Sequence, residues 1–141
     1  MKAFIENPAN TKLKKEFEKG KWINRGSLSE EYPYPYGFIP DTLEEDGDPL
    51  DVFVITDKPL TRGDVVDIEI LGCGIYVEDG KRDNKIIARI KGTKNEFDSK
   101  NKSKIKFFLE NAFRGKSKKV KFSGFFDKKR AMKLINTSRN L

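Results

Sequence analysis

The sequence predicts a mainly β protein of the α+β class, with a five-stranded, OB-like closed barrel, additional hairpin strands and two flanking α-helices. Several short β-rich runs are separated by turns that contain glycine, and helical spacing appears only after residue 97. Gly72 and Gly74 interrupt an alternating run, as glycines do at the bends of barrel strands. The 141 residues predict a single domain, 1–141, and the 11% of aromatic residues can fill one core.

The N-terminal half predicts a hairpin, an extended segment and a buried strand. Residues 14–25 alternate in the manner of a hairpin, and Gly20 supplies its turn. Residues 32–40 contain three prolines, which exclude a helix and favour an extended, edge-like path. An acidic loop over 41–50 then leads into the apolar strand 51–55.

Three further β-rich runs follow in the middle of the chain. Residues 65–71 alternate between apolar and acidic side chains, so they predict a strand with one buried face. The runs 75–77 and 84–90 flank residues 78–83, where an Asp-Gly pair favours a tight hairpin turn.

The C-terminal third carries the helical patterns. A helix is predicted from an N-cap at Asp98 or Ser99, and a second, shorter one from a cap at Asp127. Alternation at Val120 and Phe122 predicts a last strand between them. The inward positions of the two helices are Ile105, Phe108, Leu109 and Ala112, then Ala131, Leu134 and Ile135.

Charge and residue usage restrict the chemistry. The net charge of +7 favours anionic partners, which include phosphates, nucleic acid and acidic membrane surfaces, and solubility alone is the alternative explanation. The absence of histidine excludes Ser-His-Asp and Cys-His schemes and the H-E-x-x-H zinc site. The one cysteine, Cys73, allows no internal disulfide and is expected to be buried, which favours a reducing compartment. With no long apolar run and no apolar signal core, a cytoplasmic protein without a membrane partner is expected.

The most informative stretch is the carboxylate cluster Asp46, Asp48 and Asp51. Like charges so close together repel one another, and pairing with a cation keeps them ionised. Carboxylate oxygens select hard cations, Mg²⁺ or Ca²⁺. An EF-hand loop is excluded because Asp51 would stand at its sixth position, where glycine is needed. An ordinary acidic turn remains the alternative.

Other charged residues fall into two sets. Asp83 and Lys85 are two apart in a β-rich run, so both can point to one face, either as a solvated pair or as a metal ligand beside a phosphate-binding group. Either Glu78 or Asp79 could join them. The second set is Glu6, Lys14, Glu16 and Arg25, with Tyr32 and Tyr36 as rigid hydroxyls near the acidic loop. The alternative is that the four charged residues are ordinary surface charges and that the two tyrosines pack in the core or at an edge.

These residues resemble the soluble family I inorganic pyrophosphatases. The segment 32–54, YPYPYGFIPDTLEEDGDPLDVFV, contains the D-x-D-P-x-D signature of that family after a Y-P-x-x-Y-G segment. The segment 78–88, EDGKRDNKIIA, is similar to its acidic loop with D-x-K, and 4–10, FIENPAN, to its I-E-x-P strand. The likeness extends over residues 4–125.

The resemblance implies a role for each matching residue. Asp48 would orient and deprotonate the attacking water, and Mg²⁺ would be the cofactor. The metal ligands would be Asp46, Asp51, Asp83, Glu78 (or Asp79) and Glu6. The phosphate ligands would be Lys14 (or Lys15), Arg25, Tyr36 and Lys85. The late Tyr-Lys pair of the family corresponds to Phe113-Arg114 or is displaced, so Arg114 would bind substrate where the family has lysine.

The expected function is hydrolysis of inorganic pyrophosphate by a metal-activated water, without a nucleic-acid partner. The resemblance also implies a homo-oligomer, with a hexamer favoured and a dimer possible. One alternative is a catalytically weakened relative. The other is a basic OB-type module for single-stranded nucleic acid, suggested by lysines 116, 118, 119 and 121 beside aromatic residues.

Overall fold

The computed structural model describes residues 1–139. Within them the chain forms nine strands and two helices: β1 (Lys2–Asn7), β2 (Leu13–Glu18), β3 (Lys21–Ser27), β4 (Tyr36–Phe38), β5 (Asp51–Ile55), β6 (Val65–Glu78), β7 (Lys81–Arg82), β8 (Lys85–Ile90), α1 (Ser99–Asn111), β9 (Val120–Asp127) and α2 (Lys128–Ser138). No helix in this part of the chain is long and apolar enough to cross a membrane.

Five strands close into the predicted ring. β1 pairs with β4, β4 with β5, β5 with β8 and β8 with β6, and β6 returns to pair with β1. The β5–β8 pair is parallel, whereas the other four pairs are antiparallel. The OB-like barrel with added hairpin strands and two helices is therefore confirmed.

The central strands β5 and β8 separate two apolar clusters. Because successive side chains of a strand point to opposite faces, Val52 and Val54 enter one cluster and Phe53 enters the other. Helix α2 packs Ile135 onto the first cluster, and α1 packs Phe108 onto the second. Strand β5 is covered on both faces, which explains its continuous apolar sequence.

Strand β6 differs from the prediction, because the runs 65–71 and 75–77 form one strand of 14 residues. Its first part pairs with β1, its middle with β8 and its last part with β9. The predicted bend is a shift of register between Ile70 and Gly72. A Cβ at Gly72 would lie 2.6 Å from the carbonyl oxygen of Phe126, so only glycine allows β9 to approach.

The prediction of an edge-like path for 32–40 is wrong for its central part. Strand β4 lies inside the barrel wall between β1 and β5. This proline-rich segment can form an internal strand because only Tyr36, Gly37 and Phe38 are paired. All three prolines, which lack a backbone N–H, lie outside these residues.

Both predicted hairpins and both helix caps are present. Lys19-Gly20 joins β2 to β3 and Asp79-Gly80 joins β6 to β7, and all four residues have positive φ, as a type I′ turn requires. Of the two candidate caps for α1, Asp98 is the N-cap, since its Oδ1 accepts the Asn101 N–H at 3.0 Å. Asp127 caps α2 in the same way.

Candidate functional site

One cavity of about 520 Å³ collects nearly all of the predicted site residues. It lies between the open side of the barrel, the β2–β3 hairpin and the loop from α1 to β9. The acidic residues that line it are Glu6, Glu16, Asp46, Asp48, Asp51, Glu78 and Asp83. The basic ones are Lys14, Arg25, Lys85, Lys116 and Lys118, and three tyrosines complete the polar wall: Tyr32, Tyr36 and Tyr76.

The centre of the cavity is built by three neighbouring barrel strands. In the parallel register of β5 and β8, Asp51 is the partner of Lys85, so their side chains start side by side. The Lys85 ammonium donates to Asp51 Oδ2 at 2.6 Å and to the Tyr36 hydroxyl at 2.8 Å. It also forms an ion pair with Asp83 Oδ2 at 3.0 Å. Tyr36, from β4, donates its hydroxyl to Asp51 Oδ2 at 2.5 Å, which closes a compact network.

The charges of this network support one another. Burial alone would lower the pKa of Lys85, but Asp51 and Asp83 raise it well above its ordinary value. Burial would likewise raise the pKa of Asp83, but Lys85 and nearby hydrogen bonds hold it below its usual range. Lys85, only 4% exposed, is therefore a permanent cation fixed between two carboxyl groups.

The acidic loop folds into a tight turn. Asp46 Oδ1 accepts the backbone N–H of Asp48 at 3.0 Å, and Gly47 between them has a φ of +88°, which glycine adopts without strain. The turn aims Asp46 and Asp48 at the same cavity as Asp51. The three aspartates of the sequence motif therefore meet at one site.

The negative charges of the carboxylates in this cavity are not fully balanced by the protein. Burial raises the pKa of Glu6 to about 7. Burial and the neighbouring Asp83 raise the pKa of Asp46 to about 7. Burial, followed by Glu16, also raises the pKa of Asp48, and burial raises that of Asp51 well above its ordinary value in spite of Lys85. A set of crowded carboxylates with unmet negative charge is chemically suited to a hard divalent cation.

The side chains do not, as they stand, enclose such an ion. Within residues 1–139, no three or more acidic or cysteine side chains stand close enough together to hold one metal ion. Lys85 bridges Asp51 and Asp83 and supplies the local positive charge. The donor types therefore fit a hard cation, and Lys85 holds two of them, Asp51 and Asp83.

The hairpin and the turn after β6 distinguish between two pairs of sequence alternatives. Lys14 lines the cavity, whereas Lys15 does not, and the backbone of Lys15 is bonded at both N–H and C=O to the Asn7 amide. Glu78 lines the cavity, whereas Asp79 lies outside it and accepts the Lys119 N–H at 2.9 Å. The geometry favours Lys14 and Glu78.

Arg25 is anchored by neighbours on its own hairpin. Its Nε donates to Glu16 Oε1 at 2.6 Å, and a second nitrogen lies 3.4 Å from Glu18. The hydrogen bond and charge of Glu16 raise the pKa of Arg25. The side chain lines the cavity and is 44% exposed, so its remaining N–H donors are accessible to a ligand.

Arg114 is the exception among the predicted residues, because it does not line the cavity. Its guanidinium lies 3.1 Å from Glu30 on the surface, and its side chain is 65% exposed. The expected position of this cation is thus corrected: Lys116 and Lys118, further along the same loop, line the cavity instead. The lysine run was visible in the sequence, but it favoured a nucleic-acid surface, because periodicity does not specify the path of a loop.

Comparisons of this chain with a family model, with curated relatives and with solved structures all identify the same family. The family model described as inorganic pyrophosphatase matches residues 3–141. An inorganic pyrophosphatase of Nanoarchaeum equitans is 48% identical over 90 residues, covering 61% of this chain and 55% of the relative. One from Synechocystis is 45% identical over 89 residues, covering 59% and 52%. The matched segment thus spans about half the length of these curated relatives.

Solved structures match over nearly the whole chain. The inorganic pyrophosphatase of Helicobacter pylori has a TM-score of 0.91 at 29% identity, covering 98% of this chain and 90% of that one. The enzyme of Thermus thermophilus has a TM-score of 0.89 at 29% identity, covering 98% and 88%.

Proposed function

Because the chain belongs to the inorganic pyrophosphatase family, we propose that it hydrolyses inorganic pyrophosphate to two phosphates with Mg²⁺ as cofactor. The observation that carries this proposal is the composition of one cavity, in which seven carboxylates face five cationic side chains. Such a site is suited to a substrate that is itself a polyanion and arrives with divalent cations.

The proposed metal ligands are the carboxylates of Asp46, Asp51, Asp83, Glu78 and Glu6. Their oxygens are of the type that Mg²⁺ prefers. Burial raises the pKa values of Glu6 and Asp46 to about 7, so a bound cation would stabilise the charged form of both carboxylates. Bound Mg²⁺ would neutralise phosphate oxygens and acidify the attacking water.

Asp48 is the proposed general base. Within residues 1–139 its carboxylate accepts no hydrogen bond, so its lone pairs are free to take a proton from water. Burial raises its pKa, which moves its proton affinity towards that needed near neutral pH.

The proposed phosphate ligands are Lys14, Arg25, Tyr36 and Lys85. Lys85 and Tyr36 lie side by side, with their donors directed at Asp51, at Asp83 and, from Lys85, at the Tyr36 hydroxyl. They would redirect these donors to a phosphate once metal ions neutralise the two carboxylates. Lys14 and Arg25 both lie on the hairpin and line the same cavity.

Phosphate release from pyrophosphate, measured with and without Mg²⁺, tests the proposal. We expect rapid release only with Mg²⁺. Slow release with intact pyrophosphate binding would instead indicate a weakened relative. No release, together with salt-sensitive binding of single-stranded oligonucleotides, would favour the nucleic-acid module and overturn the proposal.

The assembly and location are proposals of the same kind. We expect a homo-oligomer, a hexamer rather than a dimer, in the cytoplasm. Sedimentation velocity of the purified protein distinguishes hexamer, dimer and monomer, and fractionation of cells locates the protein.

A further inference from the structure

We propose that Lys118 binds a phosphoryl group of the substrate together with Lys14, and that Phe113 positions both ammonium groups. The inference rests on the proposed function, and it names a cation that the sequence motifs do not assign. All three residues line the cavity, and they reach it from two separate parts of the chain.

The aromatic ring of Phe113 is shared by the two lysines. The ammonium nitrogen of Lys14 lies 5.1 Å from the ring centroid, and that of Lys118 lies 4.7 Å from it. The negative face of an aromatic ring attracts a cation at this distance. Phe113, on the α1–β9 loop, therefore restricts the positions of two ammonium groups, that of Lys14 on the hairpin and that of Lys118 on its own loop.

The path of the loop explains why Lys118, and not Arg114, faces the cavity. The Lys116 N–H bonds to the Phe113 carbonyl at 2.9 Å, and Gly115 between them has a φ of +80°. This tight turn leaves Arg114 outside, bound to Glu30, and returns the following residues to the cavity wall.

Lys118 already has one acidic contact in the cavity. Its ammonium forms an ion pair with Glu78, whose side chain is 17% exposed. Lys14 and Lys118 hold their ammonium groups against the same ring, so both can reach one phosphoryl group in the cavity. A phosphate bound by both would gain charge-assisted hydrogen bonds from each lysine.

The simpler interpretation is that Lys118 is only a surface partner of Glu78. That interpretation predicts an effect on stability, or on metal binding through Glu78, but none on affinity for the phosphate groups at saturating Mg²⁺. The two interpretations are therefore distinguished by ligand binding and not by folding.

The first experiment compares Lys118→Met, Lys118→Arg and the control Lys119→Met. Lys119 is the next residue of the same loop, it is exposed, and its side chain lies outside the cavity, so the control removes an equal charge. Methylenediphosphonate, which cannot be hydrolysed, is titrated calorimetrically into each folded variant at saturating Mg²⁺. We expect Lys118→Met to weaken binding roughly 10- to 100-fold, Lys118→Arg to restore most of it, and Lys119→Met to behave as the wild type.

The second experiment tests Phe113 by comparing Phe113→Leu with Phe113→Tyr. Leucine keeps an apolar side chain but removes the ring, so binding should weaken roughly threefold or more, whereas tyrosine keeps the ring and should preserve binding.

In steady-state assays the Lys118→Met change should appear in KM more than in kcat if Lys118 contacts ground-state substrate.

Equal affinities for Lys118→Met and Lys119→Met would overturn the assignment, as would normal binding by Phe113→Leu. These outcomes differ from failure of the proposed function. If the wild type bound the diphosphonate but released no phosphate from pyrophosphate, the hydrolysis proposal would fail while the variants still tested the role of Lys118.

Discussion

At the scale of single residues, three aspartates of one short motif have different surroundings. Asp51 accepts hydrogen bonds from Tyr36 and Lys85 and is fixed by them. Asp46 uses one oxygen to cap the turn at Asp48, whereas the carboxylate of Asp48 accepts no hydrogen bond among residues 1–139. A base needs a free lone pair and a ligand needs a fixed one, so these surroundings agree with a base at Asp48 and ligands at the other two.

Replacement of Asp48 by asparagine tests its role as base. The amide keeps the size of the side chain but cannot accept the proton, so we expect turnover to fall by roughly 10²- to 10⁴-fold. Mg²⁺ binding, measured by calorimetry, should change little because Asp48 is not a proposed ligand. Unchanged turnover would remove Asp48 from the mechanism.

Replacement of Asp51 by alanine tests the centre of the metal site. We expect Mg²⁺-dependent phosphate release to be lost, because the change removes a proposed ligand and the hydrogen-bond acceptor that fixes Tyr36 and Lys85. Glu110→Ala, at an exposed position of α1, is the control. Full activity of Asp51→Ala at ordinary Mg²⁺ concentrations would contradict the assignment.

At the scale of elements, the short strand β4 connects the barrel to the site. It places Tyr36 in the cavity, and its centre, Gly37, lies against β1. A Cβ at Gly37 would stand 1.8 Å from the carbonyl oxygen of Phe4, a distance that no packing adjustment of side chains can relieve. The close approach of β1 and β4 therefore depends on the absence of a side chain at this position.

Gly37→Ala should consequently destabilise the barrel. We expect the free energy of unfolding to fall by about 3 kcal/mol or more, because two backbone segments must separate. Urea unfolding measures the change. Gly80→Asn is a suitable control, since a Cβ at this exposed turn meets no atom within 4 Å and asparagine tolerates positive φ. Equal stability of the two variants would show that β1 and β4 can separate without loss.

Local sequence predicted those elements whose cause is local. The Asp-Gly turn, the caps at Asp98 and Asp127 and the motif at Asp46–Asp51 are all specified by neighbours in the chain. The single long β6 and the internal position of β4 depend on partners far away in sequence, so alternation alone could not reveal them. The outward position of Arg114 follows from the turn between Phe113 and Lys116, and its contact with Glu30, 84 residues away, could not be predicted from local sequence.

At the scale of the whole molecule, the charge of the cavity is opposite in sign to the net charge of the chain. The chain carries a net charge of +7, yet seven carboxylates face one cavity. The positive charge elsewhere on the protein favours the approach of an anionic substrate, while the acids inside the cavity favour the cations that accompany it. Without metal, this arrangement destabilises the folded protein, because the carboxylates repel each other.

This cost predicts how stability depends on pH. Folding raises the pKa of Glu6 and Asp46 to about 7, so the native state holds their protons more tightly than the unfolded chain. The resulting loss of folding stability is absent below the ordinary carboxyl pKa, grows as the pH rises towards 7 and is complete above pH 7. In EDTA, we expect the protein to lose roughly 1–3 kcal/mol of stability between about pH 5.5 and pH 8, after allowance for partial exposure of Asp46.

Mg²⁺ should reverse this trend, because protons and metal compete for the same oxygens. Thermal unfolding at a fixed Mg²⁺ concentration should show a stabilisation that increases with pH, as the ligands lose their protons and metal affinity rises. Asp46→Asn should flatten the pH dependence in EDTA and reduce the gain from Mg²⁺, whereas Glu110→Gln should change neither. An equal gain from Mg²⁺ at pH 5.5 and pH 8 would mean that the ion binds away from these carboxylates, and the metal assignment would then have to be abandoned for the whole cavity.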